Sequence, residues 1–404
     1  MIPKAFCRAG ALLLLGCLVT IPQLAASEIP AFARKYKVSC SLCHNPVPTL
    51  TEFGETFAGN GFRFAPQEEP RDTIGTGDEL LQLMRDVPLA FRLDAYVQAY
   101  TGGDFATDLQ TPYNLKVLSG GTISKKLSYY LYFFLYERGE IGGIEDAFLQ
   151  VNDLNGAPVD LVAGQFQVSD PMFKRELRLE FQDYAVYRAR VGLQPADLTY
   201  DRGLMVVADA GGFTITGEVV NGNGRGEAEP NRRLDNDVFK SLFGHVTHDL
   251  GENLRVGAMG YWGKQEGAAG AGDPEVTNRV WMIGADATIA AGSVELNGQY
   301  IHREDNAPTF NAFEETANTD GGFVELILRP PQSRWYLLGL YNLVHNDRNL
   351  LNVRLGGPAN SERYEAMTAG VGYLARRNFR LLGELTWDME QDQTRWSLGL
   401  MTAF

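Results

Sequence analysis

The chain has 404 residues, with 36 Lys plus Arg against 50 Asp plus Glu and a formal net charge of −14. That acidity excludes nucleic acid as a partner and suits either a membrane surface or solvated loops. After the first thirty residues no run of about eighteen apolar residues occurs, so any bilayer crossing in the mature chain has to be made by a closed barrel of strands.

Lys4 and Arg8 precede an apolar run from Ala9 to Ile21, and the small residues Ala25, Ala26 and Ser27 follow. This is the anatomy of a secretory leader, assigned to residues 1–26 with cleavage near Ala26 or Ser27. Leu14-Leu15-Gly16-Cys17 competes as a loose lipobox, but cleavage there would leave a very short apolar core behind Arg8. Removing the leader leaves 34 basic and 50 acidic residues, a net charge of −16. Cys7 and Cys17 depart with it, and the mature chain keeps one pair, Cys40 and Cys43.

Residues 27–88 lack strand alternation and are rich in turn formers, among them Gly54, Gly59-Asn60-Gly61, Pro66 and Pro70. So short a segment builds no large core unaided, and a covalently held cofactor would organise it. Cys40-Ser41-Leu42-Cys43-His44 supplies the means, because C-x-x-C-H is the attachment signal of a c-type haem. Two thiols at this spacing add to the two vinyl groups of one porphyrin, and the adjacent imidazole of His44 becomes the proximal iron ligand. A zinc site would need two further ligands, and the next histidine is His245. A thioredoxin-like dithiol would need a βαβ context that this segment lacks. Asp78-Glu79 opens a predicted helix through Leu80, Leu81, Leu83 and Met84 that stops before Pro88. Met84, the first methionine after the motif, is the candidate distal ligand; an ordinary apolar helix residue is the competing reading, and an open distal position a third.

From Leu89 the period changes to two. Phe91, Leu93, Ala95, Val97 and Ala99 alternate with Arg92, Asp94, Tyr96, Gln98 and Tyr100, and the same pattern recurs around Val294–Tyr300 and Phe379–Asp388. Counting similar segments to the C-terminus gives an all-β fold for residues 89–404, a transmembrane β-barrel of about sixteen strands, porin-like, apolar outside and wet inside. A soluble β-sandwich or solenoid is the competing fold. The run Tyr129–Tyr136 is suited to the aromatic girdles of such a barrel. The last strand ends on Phe404, which resembles the terminal aromatic signal of outer-membrane barrels. Asp170–Arg202 crowds charges of both signs and reads either as a loop folded into the lumen or as a solvated surface loop. His245, His248, His302 and His345 fall on strands; His245 and His248 point to opposite faces and make a poor chelating pair.

Pro30-Ala31-Phe32-Ala33-Arg34, a short spacer and Cys40–His44 together resemble the start of the outer-membrane monohaem cytochrome-porin fusions of iron-oxidising bacteria. The order of leader, single haem and barrel extends the resemblance over the whole chain. It implies that Cys40 and Cys43 hold one haem c, that His44 ligates it, and that electrons pass from extracellular Fe(II) to a periplasmic cytochrome or copper protein. A ferrous iron oxidase activity at the cell outer membrane follows from the same resemblance. The spacer Lys35–Ser39 departs from the iron-oxidiser version, and Leu50–Phe64 resembles a wider set of haem-barrel proteins whose electron donor is unknown. Two other readings stay open: a porin whose haem segment is a plug or sensor, and a haem enzyme acting on a small oxidant.

Overall fold

The computed structural model describes residues 31–404 apart from 45–49, 66–67, 71–72, 102–105, 138, 170–183, 229–230, 312–315, 354–359 and 377. The leader assigned to residues 1–26 lies outside the described residues.

Among the described residues, three short helices come first: α1 (Ala31–Tyr36), α2 (Cys40–Cys43) and α3 (Glu52–Gly59). A small antiparallel hairpin follows, β1 (Thr73–Gly75) with β2 (Gln82–Met84). The helix expected after Asp78 is therefore absent, and Met84 sits on β2 opposite Thr73. Four apolar residues without a second helical turn cannot offset the cost of nucleation, and pairing with Thr73–Gly75 satisfies the same backbone groups.

Sixteen antiparallel strands then close a barrel. They are β3 (Leu89–Thr101), β4 (Ala106–Thr122), β5 (Leu127–Glu137), β6 (Gly143–Val151), β7 (Val159–Gln167), β9 (Tyr200–Ala210), β10 (Phe213–Val220), β11 (Ser241–Asp249), β12 (Leu254–Gly267), β13 (Val276–Ala291), β14 (Val294–Asp305), β15 (Ala317–Leu328), β16 (Trp335–Asn346), β18 (Arg363–Arg376), β19 (Phe379–Asp388) and β20 (Gln393–Ala403). Strand β20 pairs with β3 to complete the ring, and Phe404 exchanges two backbone hydrogen bonds with Phe91 while their rings stack at 5.8 Å.

The alternation read from the sequence sets inside and outside. On β3, Asp94 and Gln98 are buried in the lumen while Val97 is exposed; on β19, Glu384 and Thr386 are buried while Trp387 is exposed. Leu204, Leu242, Ile283, Val324, Leu337 and Leu398 continue the exposed apolar band around the wall, and Trp262, Trp281, Trp335 and Trp396 are exposed with it. A closed barrel with an apolar exterior and a polar interior is built for a bilayer, and the chain is an outer-membrane barrel.

One end of the barrel has short turns and the other long loops. Gly211 and Gly212, both at positive φ, make a two-residue hairpin between β9 and β10 of the kind only such residues favour. In outer-membrane barrels the short-turn end faces the periplasm. Both ends of the barrel segment, Leu89 and Phe404, lie there.

The charged stretch after β7 divides. Residues 170–183 lie outside the described residues, whereas Tyr184 to Thr199 fold into the lumen, as one of the two readings expected. Helix α4 (Ala185–Arg188) and strand β8 (Arg190–Val191), paired to β17 (Leu351–Asn352), lie in this segment. Tyr184 stacks on Phe323 at 3.9 Å and donates its hydroxyl hydrogen bond to Glu325 Oε2 at 2.6 Å. Arg303 donates to the carbonyls of Ala189 and Ala196 while its other nitrogens engage Asp305. Tyr187 and Leu198 join Phe243, Met282 and Phe323 in one buried cluster, so this half of the lumen is filled by side chains.

Candidate functional site

The N-terminal segment occupies the lumen near the short turns. Phe32 stacks on Phe62 at 4.8 Å, and Phe62 stacks on Tyr130 of β5 at 5.4 Å. Tyr36 packs its edge on Phe57 and donates a hydrogen bond to the Phe62 carbonyl at 2.6 Å. Polar anchors tie the segment to the wall: Gln150 and Asn152 each donate to the Gly59 carbonyl at 2.8 Å, and Arg63 donates to the Lys125 carbonyl in the β4–β5 turn. Arg255 at the start of β12 pairs with Glu55 at 3.3 Å. Burial holds the Arg63 guanidinium below its usual pKa.

Helix α2 is a single turn, which places Cys40 and Cys43 on one face, and the His44 N–H closes the turn onto the Cys40 carbonyl at 2.9 Å. Thr51 fixes the turn from outside. Its N–H donates to the Cys43 carbonyl and its hydroxyl to the Leu42 carbonyl, both at 2.9 Å, while the same hydroxyl caps α3 by accepting from the Gly54 N–H at 3.1 Å. Gly54 is required by this packing: a Cβ there would lie 2.1 Å from the Cys43 carbonyl oxygen.

Cys40, Cys43 and His44 border a cavity of about 400 Å³ between the N-terminal segment and the inner wall. That size falls in the range of about 300–1,000 Å³ usual for small-molecule sites. Phe57, Phe62, Phe64, Tyr130, Tyr132 and Phe148 give it an aromatic lining, and Arg92 and Lys116 place two cations on its wall. The two cysteines are not joined in a disulfide. Burial raises the pKa of both thiols, and Cys43 is raised further by Cys40, so both favour the neutral form.

A haem fits these residues. Paired thiols one helical turn apart, an adjacent imidazole and a broad aromatic cavity are contacts that a haem c would take up, while Arg92 on the wall is bonded to the buried Asp94 at 2.8 Å. Among the described residues no cluster of three or more His, Cys, Asp or Glu could hold a bare metal ion.

One residue and one run of residues fall elsewhere than expected. Met84 does not line the cavity. The aromatic run on β5 does not all face lipid: Tyr130 and Tyr132 border the cavity, and Phe134 is buried beneath the Lys116 ammonium at 4.1 Å. An inner face packed on an apolar segment instead of water has no reason to be polar, so both faces of β5 are aromatic. Three of the four register shifts described in the barrel fall between β3 and β6, the wall that borders the cavity.

The histidines take structural places. His245 faces inward and bonds Asp286 at 2.9 Å; His248 stacks on Phe213 and bonds the Gly212 carbonyl. His302 bonds Asp320 at 2.9 Å, and His345 bonds Glu362 at 3.3 Å.

No family model matches the sequence, and no curated protein matches it. Solved structures do. The anion-selective porin from Comamonas acidovorans superposes with a TM-score of 0.54 at 13% identity, covering 79% of this chain and 99% of that one. A loop-deletion mutant of OmpT, an outer-membrane protein of Vibrio cholerae, gives 0.53 at 14% identity with the same coverage. The outer-membrane channel DcaP of Acinetobacter baumannii gives 0.53 at 12% identity, covering 79% and 97%. The fold is that of a 16-stranded porin. At these identities the likeness extends to the barrel architecture alone.

Proposed function

We propose that this chain carries single electrons across the outer membrane through one haem c, bound covalently by Cys40 and Cys43 and ligated by His44. The observation that carries the reading is the placement of C-x-x-C-H against an aromatic cavity inside a membrane barrel. When bound, the haem would supply a one-electron redox centre shielded from lipid by the wall. The chain's own residues do the rest. Thr51 and Gly54 hold the cysteine turn in place, Phe57, Phe62 and Tyr130 exclude water, and Gln150, Asn152 and Arg63 fix the segment to the barrel.

Extracellular Fe(II) is the leading donor, on the resemblance of Pro30–His44 to the cytochrome-porin fusions. The acceptor is a periplasmic cytochrome or copper protein. Location of the cysteine turn near the short-turn end supports a periplasmic exchange partner, because it brings the redox group toward the periplasmic mouth. The test is stopped-flow visible spectroscopy of the matured protein mixed anaerobically with Fe(II). Rapid appearance of reduced c-type bands is expected. A haem that dithionite reduces but Fe(II) leaves oxidised would remove iron as the donor.

A further inference from the structure

The wall side of the cavity carries groups that the reading above leaves unused. Arg92 on β3, Lys116 on β4 and Met401 on β20 all border it. Strand pairing joins them into one patch, since Arg92 lies opposite Lys116 on one side and opposite Ala403 of β20 on the other. Met401 is buried on the inner face, packed with Tyr96, Tyr336 and Leu382, and its Sδ lies against the Arg380 guanidinium of β19.

The cavity that Cys40, Cys43 and His44 border is bounded by the N-terminal segment on one side and the barrel wall on the other, so a haem held by those three residues would lie within reach of wall side chains. Several wall groups could approach the iron. Lys116 would first have to lose its proton, yet it sits as a cation over Phe134 at 4.1 Å and Tyr132 at 5.3 Å. The phenols of Tyr130 and Tyr132 would have to ionise, and Asp146 offers a hard anionic oxygen. Met401 alone among the described cavity-lining residues presents a neutral, soft donor with no proton to lose, the type that pairs with histidine on a c-type haem.

We propose that Met401 is the axial ligand on the wall side of the iron, so that His44 from the N-terminal segment and Met401 from the last barrel strand hold it between them. This rests on the haem reading. It makes the cofactor a bridge between the two parts of the chain.

The test uses full-length protein matured in a host with haem-attachment machinery, as wild type, Met401→Ala, Met401→Leu, Met401→His and Met84→Ala. Covalent haem is measured on denaturing gels, ferric ligation by visible and near-infrared spectra, and potential by spectroelectrochemical titration. Wild type and Met84→Ala are expected to share the methionine-to-iron charge-transfer band. Met401→Ala and the volume-conserving Met401→Leu keep covalent haem but lose the band, become open to added imidazole and fall in potential. Met401→His stays six-coordinate at lower potential. Covalent haem with a wild-type spectrum and potential in Met401→Leu overturns the assignment of Met401 alone. Absence of covalent haem from wild type overturns the haem reading and this one with it.

Discussion

The two halves of the lumen are filled in opposite ways. Along β10 to β16 the chain fills its own interior: Tyr184, Tyr187 and Leu198 pack on wall residues, and Arg303 is buried against Asp305 and the Ala189 and Ala196 carbonyls. Along β3 to β7 the N-terminal segment stands off from the wall and leaves a cavity whose two sides bring thiols and imidazole from one, cations and a thioether from the other. A buried polar group paired within the protein marks structure, and convergent unlike groups around a cavity mark a ligand. On that ground the haem is proposed for the second half.

The comparison can be broken at several points. The largest effect is expected from replacing both Cys40 and Cys43 by Ala, which abolishes covalent haem on denaturing gels while the barrel still assembles. Arg303→Ala tests the other half. It strands the buried Asp305 and is expected to cost about 3–5 kcal/mol, read as a lowered thermal midpoint in detergent with the haem spectrum unchanged. Gly54→Ala drives a methyl into the Cys43 carbonyl and is expected to cost about 1–3 kcal/mol of segment docking, seen as reduced haem content at an unchanged barrel melting temperature. Gln150→Ala removes one of two donors to the Gly59 carbonyl. It is expected to cost about 1 kcal/mol and to increase only the protease sensitivity of the N-terminal segment.

Much of the fold was legible in the residues. Phe91 to Tyr100 alternate as the wall requires, and the strand tally of about sixteen matches the closed ring. The cysteine pair was legible as a motif, but the helical turn that carries it was not read from the sequence. The segment after Asp78 was not legible, because Leu80–Met84 carries too few residues to distinguish a helical turn from a strand. Helix α3 also escaped, although Thr51 followed by Glu52 and Glu55 is a helix start. The inner face of β5 misled because aromatic residues on both faces erase the period that separates lumen from lipid. Met401 had a faint signal: counting back from an outward Phe404 in steps of two puts Thr402, Leu400 and Leu398 outside and Met401 inside, a lone thioether on the lumen face of the last strand.

The central claim is that the cavity holds a covalently attached haem. The most direct measurement is the visible spectrum and haem stain of purified, membrane-extracted protein made with a haem-maturation system. One haem per chain that survives denaturation and shows c-type bands on reduction is the expected result. A folded, heat-modifiable barrel that carries no covalent haem would contradict the account.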